Sequence, residues 1–212
     1  MPPARTGENA RSKLLDAALT LIRENGYGAT TVDALCAAAG VTKGAFFHHF
    51  KSKDDLAVAA ANHWSEATGG LFAGAAYHDV ADPRDRVLAY IDLRAELIEG
   101  DLSEFTCLVG TMVQETYRSH PAIRDACADS IVGHAATVAA DIAEAKRLYA
   151  PDAAWSPESL AMFTQAALQG AFILAKATGS ADAARDSVAH LRRYIEMLFA
   201  PDGARGETAD AA

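Results

Sequence analysis

Residues 41–56 read VTKGAFFHHFKSKDDL. In a helix running from Lys43 to Phe50, Phe46 and Phe50 lie four apart on one side, while Gly44, Phe47 and His48 share another. The segment thus has an inner and an outer face, and Thr42 is placed to cap its start. Upstream, Thr31 can cap a short helix carrying Val32, Leu35, Cys36 and Ala39, with Gly40 closing it. Val41 then plugs the corner between the two helices, and Thr31–Phe50 reads as a helix-turn-helix. Downstream, Ser52-Lys53-Asp54-Asp55 has the form of a capping box and opens a longer helix through Leu56, Ala60, His63, Trp64 and Ala67. The Gly69-Gly70 pair is expected to end or loosen that helix.

Helix-period patterns with caps recur along the rest of the chain, and no alternating strand pattern competes with them. Ahead of the helix-turn-helix, Ala10, Leu14, Ala18, Leu21 and Ile22 keep the spacing of one buried face, ended by Asn25-Gly26. Further helices are expected over 84–99, 103–118, 121–148, 157–178 and 182–199. The fold class is all-α: an N-terminal three-helix domain over 9–52 and a larger helical domain over 53–200. Roughly the first eight residues and the tail 201–212 carry too little apolar surface to order themselves.

The chain has 212 residues, half of them apolar, and a net charge of −9. That charge argues against a polyanion partner until it is divided. Residues 1–56 hold seven basic and six acidic side chains, leaving twelve and twenty-two for the remainder. The acidity belongs to the second part, and phosphate binding depends on local basic groups rather than on the total. The N-terminal MPPARTGENARSK has no apolar stretch of the signal-peptide kind, and the apolar runs elsewhere are short or interrupted, so a cytoplasmic protein with no membrane partner is expected. Cys36, Cys107 and Cys127 show no CxxC spacing, which fits neither a disulfide framework nor a zinc knuckle. Adjacent His48 and His49 point about 100° apart on a helix and make a poor chelate, so no metal is expected. Neither a catalytic constellation nor a cofactor loop is legible, and the reading is of a non-enzyme without cofactor.

In a helix-turn-helix the second helix reads DNA. Its N-terminal end offers Thr42, Lys43 and free backbone N–H groups to phosphates or base edges. Gly44 and Ala45 keep that end thin enough for close approach, and His48 can donate or accept a hydrogen bond. Thr31, Phe47 and His49 complete the candidate surface, and Lys53 can reach a flanking phosphate. Phe46 and Phe50 belong to the core.

Thr30-Thr31-Val32, the Gly40-Val41-Thr42 turn, Gly44 through Phe50 and Ser52-Lys53 closely resemble the DNA-binding segment of TetR-family transcriptional regulators. The likeness covers roughly residues 10–60. It implies a homodimeric repressor on a palindromic double-stranded DNA operator, released by a small apolar or amphipathic effector held in the C-terminal domain. The family usually carries a phosphate-binding tyrosine where this chain has Phe47. By the same likeness residues 57–150 supply the effector pocket, with Trp64, Phe72, Phe105, Cys107, Met112, Tyr117 and Phe163 as candidate contacts.

The helix over 157–178 is apolar on more than one side, with Leu160, Phe163, Ala167, Gly170, Ala171 and Leu174 as one stripe and Met162, Ala166 and Ile173 as another. One core covers only one of them. A dimer interface is therefore expected from Phe163, Ala167, Gly170, Ile173 and Leu174 together with Leu191, Ile195 and Leu198 of the last helix. Two other functional readings stand beside the repressor: a thiol sensor switched at Cys107 or Cys127, and a helical ligand carrier or enzyme with a vestigial helix-turn-helix.

Overall fold

A computed structural model describes residues 9–200, so both ends expected to lack order lie outside the described residues. All regular structure among these residues is helical. α1 spans Ala10–Asn25, α2 Val32–Ala39, α3 Lys43–His49, α4 Lys53–Ala73, α5 Pro83–Glu96, α6 Leu102–Phe105, α7 Leu108–Thr116, α8 Pro121–Tyr149, α9 Pro157–Thr178 and α10 Asp182–Leu198, with a 3-10 turn at Ala76–Asp79. The chain divides into two compact units. One holds the described residues up to Thr68 together with Thr106–Ser130, and the other Gly69–Phe105 with the described residues from Ile131 onward.

In the first unit, α1 packs against α2, α3 and α7. Leu14, Leu15, Ala18 and Ile22 of α1 are buried, as the three-four spacing demands, alongside Leu35, Phe46, Phe50 and Leu56. The side chains of Thr31 and Thr42 accept hydrogen bonds from Ala34 N and Ala45 N, both at 3.1 Å, and so satisfy first-turn donors of α2 and α3. Gly40 takes the left-handed conformation (φ 64°) that closes α2, and Val41 N donates back to Cys36 O at 3.0 Å. Ser52 caps α4 through Asp55 N at 3.1 Å, while the Asp55 carboxylate accepts from Lys51 N at 3.0 Å, one residue earlier than the usual reciprocal bond of a capping box.

Two expectations about helix ends are corrected. α4 continues through Gly69-Gly70 to Ala73. Two glycines lower helix propensity by about 1 kcal/mol each, but a helix anchored on both sides by apolar contacts absorbs that. The single helix expected over 103–118 is two, α6 and α7, broken at Thr106-Cys107. Cys107 is the cap of the second: its Sγ accepts from Gly110 N at 3.4 Å.

In the second unit, α10 packs against α9 and α5. Arg192 of α10 binds the Asp92 carboxylate of α5 at 2.6 Å, and Arg86 of α5 binds Asp141 of α8 at 2.9 Å. The inward stripe of α9 coincides with neither of the two apolar stripes read from the sequence. Leu160, Ala161, Leu168, Ala171, Phe172 and Ala175 are buried, and so are the polar Thr164 and Gln165, whereas Met162, Phe163, Ile173 and Leu174 are exposed. Thr164 is tolerated inside because its hydroxyl donates to Ala161 O at 2.7 Å. On α10 the core takes Val188, Leu191 and Ile195, and the exposed apolar residues are Tyr194 and Met197. By length and composition α9 could cross a bilayer (mean hydropathy 1.2), yet 44% of that span is buried inside the chain.

Candidate nucleic-acid interface

The division of α3 into two faces is complete. Phe46 is fully buried and Phe50 nearly so, their rings 5.9 Å apart. One residue further round, Phe47 is 56% exposed, with Thr42, Lys43, Gly44 and His48 also on the outside and Ala45 and His49 half-buried. Thr31 is exposed at the head of α2. The two capping threonines accept bonds from backbone N–H groups, which leaves each hydroxyl proton available to an outside acceptor.

The basic groups are less free than the sequence implies. Lys43 Nζ lies 2.7 Å from Asp33 Oδ1, both side chains being well exposed. The acid on α2 thus holds the first cation of α3 in a pair that a phosphate would have to exchange. Lys53 turns inward: its ammonium donates to Tyr27 O at 3.0 Å and Thr30 O at 3.1 Å and lies 4.1 Å from the centre of the Tyr27 ring. Two of its three N–H groups are therefore spent on the turn between α1 and α2. The signal missed in the sequence was the pair of carbonyls left open by a glycine-flanked turn 23 and 26 positions earlier.

Gly44 is informative by what surrounds it. A methyl group there would come no closer to other side chains than Thr42 Oγ1, at 3.7 Å. Nothing inside the chain requires glycine at this position, although glycine costs a helix about 1 kcal/mol relative to alanine.

Models of two protein families match the chain: bacterial regulatory proteins of the tetR family over residues 14–60, and the C-terminal domain of LmrA/YxaF-like transcriptional regulators over residues 83–190. The chain belongs to the TetR family. It is a helix-turn-helix transcriptional regulator, of a family that acts by binding DNA and not by catalysis. The first segment of this TetR-family chain is 45% identical over 58 residues to the repressor KstR2 of Rhodococcus jostii, and 43% identical over 49 residues to the regulator AcrR of Shigella flexneri. These alignments cover 26% and 23% of the chain and span only 28% and 23% of the relatives' own lengths. A solved TetR regulatory protein from Rhodobacter sphaeroides superposes with a TM-score of 0.78 over 91% of this chain and 100% of its own, at 24% identity. Reduced NemR of E. coli gives 0.75 over 88% and 96%, at 22%. At such identities the likeness is one of fold.

The effector candidates of this TetR-family chain are distributed over both units. Trp64, Cys107, Met112 and Tyr117 belong to the first; Phe72, Phe105 and Phe163 belong to the second. Met112 is fully buried, Tyr117 is 60% exposed, and the Trp64 ring lies under the Arg23 guanidinium. Phe163 sits on the exposed side of α9. Phe72 alone enters a chemically distinctive cluster. Its ring lies 4.6 Å from that of His134 and 5.8 Å from that of buried Tyr90. The Tyr90 hydroxyl is 2.9 Å from His134 Nε2 and accepts from Gln165 Nε2 at 3.4 Å. Sequence reading missed Tyr90, His134 and Gln165, because each is a lone polar residue within an apolar helix pattern. Burial lowers His134 to about 4, with the Arg94 charge adding to the effect, so the imidazole is neutral at pH 7.

That shift has a sign. Between about pH 6.5 and 4 the unfolded chain protonates this histidine and the folded chain does not, so stability falls as pH drops through that window. Between pH 7 and pH 5 the stability given up is on the order of 2 kcal/mol. His134→Gln should therefore lose less stability over that interval than the wild type in denaturant melts; equal losses would show that His134 is not held neutral.

The cysteines are all free. Cys127 is completely buried, and its thiol is pushed up to about 12 by burial, with Cys107 contributing. A thiol held in that form is a poor nucleophile. No group of three or more metal-ligating side chains occurs among the described residues.

Proposed function

We propose that the chain is a homodimeric repressor that binds a palindromic operator through α3 and is released by a small apolar or amphipathic effector taken up in its C-terminal region. It would act where the DNA is, in the cytoplasm. One observation carries the reading: the outer face of α3 with its cap Thr42 combines a cation, a free hydroxyl proton, an imidazole and a glycine for which the chain has no internal use, and Thr31 at the head of α2 adds a second hydroxyl. A helix so bared approaches a groove closely, and its first-turn N–H groups can face a phosphate.

The dimer is supported by an apolar surplus. Met162, Phe163, Ile173 and Leu174 of α9 and Tyr194 and Met197 of α10 are between 43% and 68% exposed. The Phe163 and Tyr194 rings meet edge to face at 5.2 Å, which joins the two helices into one surface. Leu191 and Ile195, expected at the interface, are already spent on the chain's own core. An isologous pairing of α9 and α10 would cover the rest and set half-sites about one helical turn, or a multiple of it, apart.

For the effector, the polar handles in the second unit favour a ligand that is largely apolar and carries a neutral hydrogen-bonding group. A cation is disfavoured where His134 itself is kept uncharged.

The test is the salt dependence of operator binding. Lys43→Ala should weaken binding and reduce the slope of log K against log salt by about one for each phosphate left without its lysine. Asp33→Asn, which frees the same lysine, should tighten binding to operator and non-operator duplexes alike and steepen the slope. Unchanged slopes in both variants would remove Lys43 from the interface.

A further inference from the structure

A carboxylate from outside the helix-turn-helix is built into the turn that opens it. Glu115 of α7 accepts from Tyr27 N through Oε1 at 3.0 Å and from Gly28 N through Oε2 at 2.7 Å, so both oxygens are engaged by consecutive amides. The turn is shaped to receive it. Gly26 stands at φ 84°, and a Cβ there would fall 2.3 Å from Oε1; a Cβ on Gly28 would fall 3.0 Å from Oε2. Tyr27, only 4% exposed, is fixed on its remaining sides. Its hydroxyl donates to Asp54, its carbonyl accepts from Lys53, and the His120 ring packs edge-on at 5.4 Å. Thr30 closes the loop by donating to Gly26 O at 2.7 Å, and the next residue is the cap of α2.

The Glu115 bonds are partly solvent-exposed. Without the carboxylate the two N–H groups would turn to water, and the fold would survive. The turn would be held less tightly at its amides, because the remaining contacts hold the Tyr27 side chain and the two carbonyls, while the glycines on both sides of Tyr27 leave the backbone room to move. The ordering cost would then be met at the moment of DNA binding, as reduced preorganisation.

We infer that Glu115 is a positioning residue for DNA reading: its carboxylate fixes the turn from which α2 and α3 are hung, and so makes operator recognition depend on where α7 stands. The inference rests on the operator-binding reading proposed for α3.

The experiment uses the full-length chain and two duplexes, an operator enriched from a random library by the wild type and a scrambled control. Binding is measured at a temperature where circular dichroism shows each variant native. Glu115→Ala should weaken operator binding by about tenfold or more while changing control binding by less than about twofold, since loose phosphate contacts tolerate a mobile head. Glu115→Gln, which keeps the shape and one acceptor, should fall between. Gly28→Ala crowds Oε2, which must give by a few tenths of an ångström, without imposing a positive φ, and should weaken operator binding less than Glu115→Ala does. Because it acts through Glu115, the double variant should bind no worse than Glu115→Ala alone. A natively folded Glu115→Ala with wild-type operator affinity, an equal loss on both duplexes, or additive losses in the double variant would overturn the inference alone. A wild type that enriches no duplex would overturn the operator reading and this inference with it.

Discussion

Ile173→Asp is expected to give a folded monomer that no longer holds operator DNA tightly. Ile173 is 49% exposed on α9, so the charge meets water in the isolated chain and costs folding little. In the proposed dimer the same position lies within a surface of Met162, Phe163, Leu174, Tyr194 and Met197. There the carboxylate would be stripped of water on each subunit with no partner cation, a penalty of several kcal/mol per ion. Operator binding would fall with the dimer, because two linked heads gain affinity from effective concentration that one head lacks. Leu191→Asp makes the contrast. Leu191 is 3% exposed on α10, which packs on α9 and α5, and a charge there should unfold the chain instead of dissociating it. Sedimentation and circular dichroism at micromolar concentration would separate the two outcomes. A dimeric Ile173→Asp variant would refute the interface.

Phe46→Ala is expected to cost about 3–5 kcal/mol, the usual range for a buried phenylalanine whose cavity does not collapse. Its ring is fully buried and touches those of Phe47 and Phe50 at 5.1 and 5.9 Å. Phe47→Ala, one residue away, should cost under about 1 kcal/mol, since it removes an exposed ring and one edge-to-face contact. Urea melts of both variants would test the pair. Similar losses would mean that α3 does not divide its phenylalanines between core and surface.

That division was legible from residue spacing alone, as were the caps Thr31 and Thr42 and the closing Gly40, because each rests on contacts within a few positions. The inward stripe of α9 was not. Periodicity ranks apolar residues, and it passed over Thr164 and Gln165, whose burial is made tolerable by Ala161 O nearby and by Tyr90 on another helix. Phe163 and Leu174, expected at a dimer interface, are exposed in the structure, whereas the buried Leu168 and Phe172 went unnoticed. The bonds of Lys53 and Glu115 to the turn after α1 were not legible for a related reason. A charged side chain on a helix surface reads as a solvated or ligand-facing group until the backbone it reaches is known, and here that backbone lies between 23 and 88 positions away.

The Asp33–Lys43 pair also bears on time. A regulator finds its site by repeatedly landing on the genome, sliding and leaving, and each free cation on its reading surface lengthens every unproductive stay. With Lys43 parked on an acid, the proposed reading head would arrive carrying less grip than its lysine count implies, on operator and random sequence alike. The expected result is a shorter dwell on every sequence, so that the hunt across the chromosome is quicker while the difference between operator and random DNA is left to the base contacts.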